Sequence, residues 1–304
     1  MPQLQHPLRG AAHRVRLTGG RVIDEQLRRR SVGAPAARSL LLTVLGEYVL
    51  PRPQGVWQET LVGALVSVGY TQQAARQALA RSTRDGWLTA ERRGRRARMT
   101  LGTATAELLR TGAERIYSFG APWRWDGRWL VVVLRVPEER RAVRHQLRSR
   151  LAWTGLGSLG GGVWLTPHVK REGELAAAIA LEPAAEARSF VAELGSMGDP
   201  QSLVADAWEL AAVRTQYEAF IEDFARVRAL SAEACFRQQT LLVHAWRRFP
   251  FLDPDLPAEL LPAGWPRQRA HELFHGRHER WRERATEYFA QLEDNLGAME
   301  ERAA

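Results

Sequence analysis

Apolar positions first recur at helical spacing in "RSLLLTVLGEYVL" (38–50), which stops at Pro51-Arg52-Pro53 and so predicts a helix with a sharp end. "GVW" (55–57) has room only for a short strand, and "QETLVGALVSVG" (58–69) reads as a second helix closing at Gly69. Thr71 as N-cap and Gly86 as the residue past the C-terminus bound a third helix. At ~100° per residue, Ala74, Ala75, Ala78, Leu79 and Ser82 share one arc of this helix. Gln73, Arg76, Gln77, Ala80, Arg81 and Arg84 fill the opposite arc. "WLTAE" (87–91) and "ARMTL" (97–101) alternate like two strands, and "RRGRR" links them with Gly94 at its tip.

Further along, "WRWDGRWLVVVLRVPE" (123–138) reads as a buried strand and "ERRAVRHQLRSRLAWTG" (139–155) as a helix. A strand is expected near 156–160, and "GGVWLTPHV" (161–169) is another. "EGELAAAIALE" (172–182) is a short helix and "ARSFVAEL" (187–194) a final strand. The resulting β-α-β-β-α-β order is ferredoxin-like. Gly198, Asp199 and Pro200 mark a boundary, beyond which 203–228, 231–250 and 267–295 are helical, interrupted by "FPFLDPDLPAELLPAGWP" (249–266). Residues 1–37 carry "LRRR" (27–30) and "GAPAA" (33–37) with no periodicity, as a disordered basic tail would.

The expectation is therefore an α+β multidomain chain. Three helices followed by a hairpin make 38–115 a winged helix-turn-helix; 120–198 is a ferredoxin-like middle domain serving as dimerisation or spacer module; 200–304 is all helical.

Charge sharpens this picture. The net charge is +9, but residues 1–100 hold 17 arginines against 6 carboxylates, so the remainder is slightly acidic. Such asymmetry is expected of a nucleic-acid-binding segment joined to something else. Lys170 is the only lysine among 43 basic residues, so Arg usage reflects codon bias, and the location of the charge is better evidence than its total. A single cysteine, Cys235, excludes a disulfide framework and a Cys-based zinc site, which fits a reducing cytoplasm. The longest interior apolar run, "WLVVVL" (129–134), is strand-length, and the N-terminus has no apolar core of the signal-peptide type, so a cytoplasmic protein is expected.

Gln and Arg side chains can pair bidentately with adenine and guanine edges, so Gln73, Arg76, Gln77, Arg81 and Arg84 are the candidate base readers. Arg92, Arg93, Arg95 and Arg96 on the hairpin are the candidate phosphate or minor-groove contacts.

The residues "SLLLTVLGEYVLPR" (39–52), "ARQALARSTRDGWL" (75–88), "WDGRWLVVVLRVPE" (125–138), "LAWTGLGSLGGGVWLTPHV" (151–169) and "HAWRRFPFLDPDLPAELLPAGWP" (244–266) resemble, in that order, the PaaX family of transcriptional repressors of phenylacetic acid catabolism. The resemblance implies a winged-helix reader and a middle domain similar to the small CRISPR-associated ferredoxin-like endonucleases. It also implies a helical C-terminal domain and homodimers on palindromic double-stranded DNA operators. Release from DNA by an aryl-CoA thioester, typically phenylacetyl-CoA, is implied by the resemblance alone, as is the absence of a cofactor and of enzymatic activity.

An acyl-CoA site needs Arg groups beside aromatics. His244, Trp246, Arg247, Arg248, Trp265 and Arg267 have that mixture and are the candidate effector residues. Three motifs compete with the repressor reading. "GLGSLG" (155–160) matches the dinucleotide fingerprint but has a helix before it and a strand after it, the reverse of the required context. "HELFH" (271–275) is a literal H-E-x-x-H, with His271, His275 and nearby His278 as candidate metal ligands of a DNA-linked zinc metallopeptidase. A metal-dependent nuclease would want a carboxylate at the end of the first middle-domain strand, where Arg135 stands; Asp126 precedes that strand.

Overall fold

The structure, a computed structural model, describes residues 36–182 and 185–301; of Trp153 and residues 296–301 only the backbone is described. The expected basic tail, apart from Ala36 and Ala37, lies outside the described residues.

Helix α1 (Ala37–Val44) buries Leu40, Leu41, Leu42 and Val44, then widens into a π-helical turn over Leu45–Val49. Pro51 and Pro53, which have no N–H to donate, end it. A two-residue strand β1 (Val56–Trp57) leads into α2 (Gln58–Ser67), which buries Leu61, Val62, Ala64 and Leu65. Helix α3 (Gln72–Arg84) begins where Thr71 Oγ1 accepts a hydrogen bond from Ala74 N–H at 3.2 Å. It closes with Trp87 N–H on Ser82 O and Gly86 N–H on Thr83 O, the paired bonds of a Schellman cap.

Strands β2 (Leu88–Arg93) and β3 (Arg96–Leu101) pair antiparallel from Leu88↔Leu101 to Arg93↔Arg96, and β1 joins the other edge of β3. Both strands run further than their alternation suggests. Arg92, Arg93 and Arg96 are strand residues and only Gly94-Arg95 turns, because Gly94 (φ 59°) supplies the positive φ that a two-residue hairpin connection demands. Helix α4 (Thr103–Ser118) follows without a counterpart in the hydrophobic pattern; Thr105 is its one fully buried residue among those described.

Next come β4 (Arg128–Arg135), α5 (Arg141–Trp153), β5 (Gly157–Gly160), β6 (Val163–Thr166), α6 (Glu172–Ala180) and β7 (Glu186–Glu193), in the expected order. Their sheet is antiparallel throughout, with spatial order β5-β6-β4-β7. Alternation along β4 divides the packing. Leu130, Val132 and Leu134 meet Leu147, Leu151, Leu175 and Ile179 of α5 and α6, while Trp129 meets Val204, Leu256 and Leu260 from the C-terminal third.

The helical run expected over 203–228 is two helices, α7 (Pro200–Ala207) and α8 (Leu210–Ala225). Trp208 leaves helical geometry between them (φ −132°) and donates from Nε1 to Gly155 O at 3.1 Å. Its indole sits so close to β5 that a Cβ on Gly157 would lie 2.6 Å from the ring. Helices α9 (Ala232–Trp246), α10 (Phe249–Leu252) and α11 (Arg267–Glu301) complete the chain.

The largest hydrophobic core is built from both ends of the sequence. Leu40, Leu45, Tyr48, Leu61 and Leu65 share it with Tyr217, Phe236, Trp246, Phe274 and Phe289. The Tyr48 ring lies 4.9 Å from that of Phe236 and 5.1 Å from that of Phe289. Residues 38–101 therefore pack on one another and share their core with α9 and α11.

Candidate nucleic-acid interface

On α3 the two predicted faces are distinct. Ala75, Ala78, Leu79 and Ser82 are buried, whereas Gln73, Arg76, Gln77, Arg81 and Arg84 are all exposed. Small inner residues let the helix lie close to α1 and α2, which leaves the long polar side chains projecting together from the opposite side. The hairpin arginines lie beyond the end of this helix. Arg92, Arg93 and Arg95 are exposed and Arg96 is half-buried. Arg92 Nε donates to Gly94 O at 3.2 Å, and Arg93 lies 3.2 Å from Glu91 of its own strand, a pair too exposed to hold the side chain firmly.

Two further arginines, absent from the predicted set, hold the interface in place. Arg38 pairs with Asp85 and stacks 4.0 Å over the buried Trp87 ring, so the start of α1 is tied to the end of α3. Arg98, last of the run "RRGRRAR" (92–98), donates to Gly55 O and to Glu293 Oε1 (2.5 Å). Glu293 Oε2 also accepts from Trp57 N–H (3.0 Å) and Thr60 Oγ (2.6 Å), so one carboxylate on α11 joins β1, α2 and β3. Nothing local in sequence signals this, since Arg98 and Glu293 lie 195 positions apart.

The candidate effector residues are placed quite differently from an open acyl-CoA site. Trp246 is fully buried, stacks on Phe274 at 4.7 Å and donates from Nε1 to Ile116 O. His244 lies 3.0 Å from Thr43 Oγ1, and burial, with Arg247 and Arg248 nearby, pushes its imidazole down to about 2. Arg247 is buried and donates to Ser39 O at 3.0 Å; burial lowers its guanidinium to about 10. Arg248 reaches Gln216, and the half-buried Trp265 is capped by Arg214, 5.2 Å from the ring. Arg267 is locked to Asp253, Asp255 and Leu256 O. Burial raises the Asp255 carboxyl to about 6 against the opposing pull of Arg267. Trp246, Arg247 and Arg267 spend donors on groups inside the protein and so join α1, α9 and the Pro-rich segment, while Arg247 Nε and Trp265 Nε1 are buried without a partner among the described residues.

The H-E-x-x-H motif lies within α11. His271 and His275 rings sit 4.3 Å apart, with both imidazoles depressed first by burial. His278 turns instead to Glu47 of the π-helical turn (3.2 Å) and to Tyr117 OH (3.1 Å), which itself donates to Glu47 Oε1. Among the described residues no group of three or more His, Cys, Asp and Glu side chains is arranged to hold a metal. Asp126 is spent on Arg128 at 2.6 Å, and Arg135 ends β4, so the nuclease reading gains no ligand set either. Gly157 and Gly160 bound strand β5, which removes the helix N-terminus a dinucleotide fingerprint requires.

A model described as "PaaX-like protein" matches residues 36–104, the "PaaX protein central Cas2-like domain" matches 122–204, and the "PaaX-like protein C-terminal domain" matches 208–291. The chain belongs to the PaaX family. The transcriptional repressor PaaX of Escherichia coli (strain K12) is 29% identical over 246 residues, which span 77% of each chain. Membership of the PaaX family makes this chain a transcriptional regulator rather than an enzyme, and the zinc peptidase and nuclease alternatives find no support. In fold it is similar to the uncharacterized protein Rv0674 from Mycobacterium tuberculosis, with TM-score 0.58 and 23% identity over 82% of this chain and 97% of that one. The PaaX architecture is thus mixed α+β, with a central Cas2-like domain and a helical C-terminal region. No helix among the described residues is long and apolar enough to cross a membrane.

Proposed function

We propose that this PaaX-family regulator is a sequence-specific repressor that binds a palindromic operator in double-stranded DNA as a homodimer. Residues 38–115 act as a winged helix-turn-helix in which α3 enters the major groove and the β2–β3 hairpin is the wing. Gln73, Arg76, Gln77, Arg81 and Arg84 meet base edges, while Arg92, Arg93, Arg95 and Arg96 hold phosphates or reach into the minor groove. The observation that carries this reading is the α3 surface, where all five candidate readers are exposed opposite the buried face of Ala75, Ala78, Leu79 and Ser82.

The ferredoxin-like middle segment supplies the dimer contact. Strand β7 is an edge strand with every residue exposed, and it presents Phe190 (54% exposed) and Val191 (45%). An exposed edge strand that carries Phe190 and Val191 is what a second copy would cover.

The signal is an aryl-CoA thioester of aromatic-acid catabolism, which releases DNA by binding more tightly to a dimer whose two reading helices are mis-spaced for the operator. A gel-shift on the chain's own upstream DNA, with and without a panel of aryl-CoA thioesters, tests the whole reading. Retardation abolished by one of the thioesters is the expected result, and no retardation at low salt would sink it.

A further inference from the structure

The segment 225–230, which joins α8 to α9, lies against α11 and is fastened at both ends by arginines of that helix. Arg277 Nη2 donates to Ala225 O, and Arg284 Nη1 donates to Leu230 O at 2.9 Å. Between the two fastenings is a cleft of about 690 Å³, within the range of small-molecule sites. Four guanidiniums line it, from Arg226, Arg228, Arg277 and Arg280, and no carboxylate does. Its apolar part comes from the half-buried Val227 and the strongly exposed Leu230, with the buried indole of Trp281 behind them.

Arg277 and Arg284 have a structural task, but Arg228 and Arg280 do not. Both are exposed, and neither makes a hydrogen bond or ion pair among the described residues. Some solvent-facing arginines have an acid close by, as Arg110 does in Glu107, Arg128 in Asp126 and Arg171 in Glu174; Arg228 and Arg280 share the unpaired state of the α3 arginines Arg76 and Arg81 instead. Glu218 and Glu222 line only the neighbouring cavity, which Arg226 also borders. The arginines of α11 recur at 277, 280 and 284, a spacing that puts them on one helix face. Beneath them the buried thiol of Cys235, which burial pushes up, is drawn back by Arg284 and Arg280. Positive groups thus approach this cleft from the loop and from the helix, and without an anion they only repel one another.

We infer that this cleft binds a small organic phosphate carrying at least two phosphate groups next to an apolar portion. Guanidinium forks match phosphate oxygens two at a time, and Val227 and Leu230 give the apolar portion a wall. A concave site of this size suits such a ligand better than a duplex, which needs an extended stripe of charge. The cleft also has a route to the reading surface. The helix that forms its floor carries Glu293, the joint of β1, α2 and β3, about 13 residues beyond Arg280 and so ~20 Å along the axis. A ligand that draws 225–230 and α11 together biases the helix on which the reading elements rest. This regulatory consequence rests on the DNA-binding function proposed above; the binding itself does not.

The test is isothermal titration of the full chain with coenzyme A and, separately, with inorganic pyrophosphate. The same titrations are run on the double variant Arg228→Glu/Arg280→Glu, in which neither substitution touches a loop fastening. Coenzyme A should bind more tightly than pyrophosphate, and the variant should lose about tenfold or more toward both, as expected for lost charge-assisted hydrogen bonds. Should charge reversal lower the thermal midpoint, the milder Arg228→Gln/Arg280→Gln pair must show the same loss. No binding by the parent chain, or unchanged affinity in a folded variant, overturns the site. A variant that loses DNA affinity but keeps its coenzyme A affinity overturns it too, and makes the cleft a DNA-backbone contact. Coenzyme A binding that depends on Arg228 and Arg280, in a chain that retards no DNA, would uphold the site and sink the repressor reading.

Discussion

A single side-chain type, arginine, does at least three different things within one short stretch. Arg76 and Arg81 stand free on α3, Arg93 faces solvent on the hairpin, and Arg98 is drawn inward to Glu293. Arg76→Ala should relax sequence preference at one base position and cost ~1–3 kcal/mol, measured by binding to operators varied one base pair at a time. Arg93→Ala should weaken binding equally on every sequence and lower the slope of log affinity against log salt by about one; affinity unmoved at both low and high salt would remove the hairpin from the interface. His244 sets a pH dependence. Its imidazole ordinarily titrates near 6.5 but is held down to about 2 by burial in the fold. The folded state therefore binds fewer protons than the unfolded one, and the stability this gives is present above about 6.5 and lost progressively as pH falls. His244→Gln should flatten the acid limb of urea-unfolding midpoints between pH 4 and 6.5, ~2.5 pH units in which the parent loses stability.

At the level of elements, what could be read from sequence depended on how local the cause was. The start and end of α3 were legible because Thr71 and Gly86 act on their own helix, and its two faces because burial there follows the helical period. The hairpin strands were legible in kind but not in length, since pairing of Arg92 and Arg93 with Ala97 and Arg96 outweighs the poor alternation of a charged run. The break between α7 and α8 was not legible, because a docking of Trp208 on the backbone of β5 decides it, some 50 positions away. Helix α4 escaped for the opposite reason: it is half-covered and shows no clean stripe. Glu293 belongs to this scale because its worth lies in the elements it joins. Glu293→Ala leaves a buried N–H, a hydroxyl and a guanidinium without their shared acceptor, and should cost about 2–4 kcal/mol in urea unfolding. It should also lower DNA affinity at temperatures where the chain remains folded, measured by anisotropy of a labelled operator.

For the whole molecule, the order of segments was legible and the way they unite was not. Hydrophobic patterning along each segment says that it has a buried face, not which distant segment covers it. The effector candidates show this most plainly. His244, Trp246 and Arg247 have the composition of a ligand site, yet their partners are Thr43, Ile116 and Ser39. Association of two copies is a property of this scale as well. Phe190→Glu places a charge at the centre of the proposed contact edge and should shift the chain from dimer to monomer in sedimentation velocity. Affinity for a full palindrome should then fall toward that for a half-site.

The core shared between the two ends of the sequence makes residues 36–104 a poor transplant. Cut away from α9 and α11, that portion would expose Leu40, Tyr48, Leu61 and Leu65 to water, and β1, α2 and β3 would lose the carboxylate that gathers them. A hybrid regulator built by splicing this segment onto a foreign sensor should precipitate unless the two long C-terminal helices travel with it.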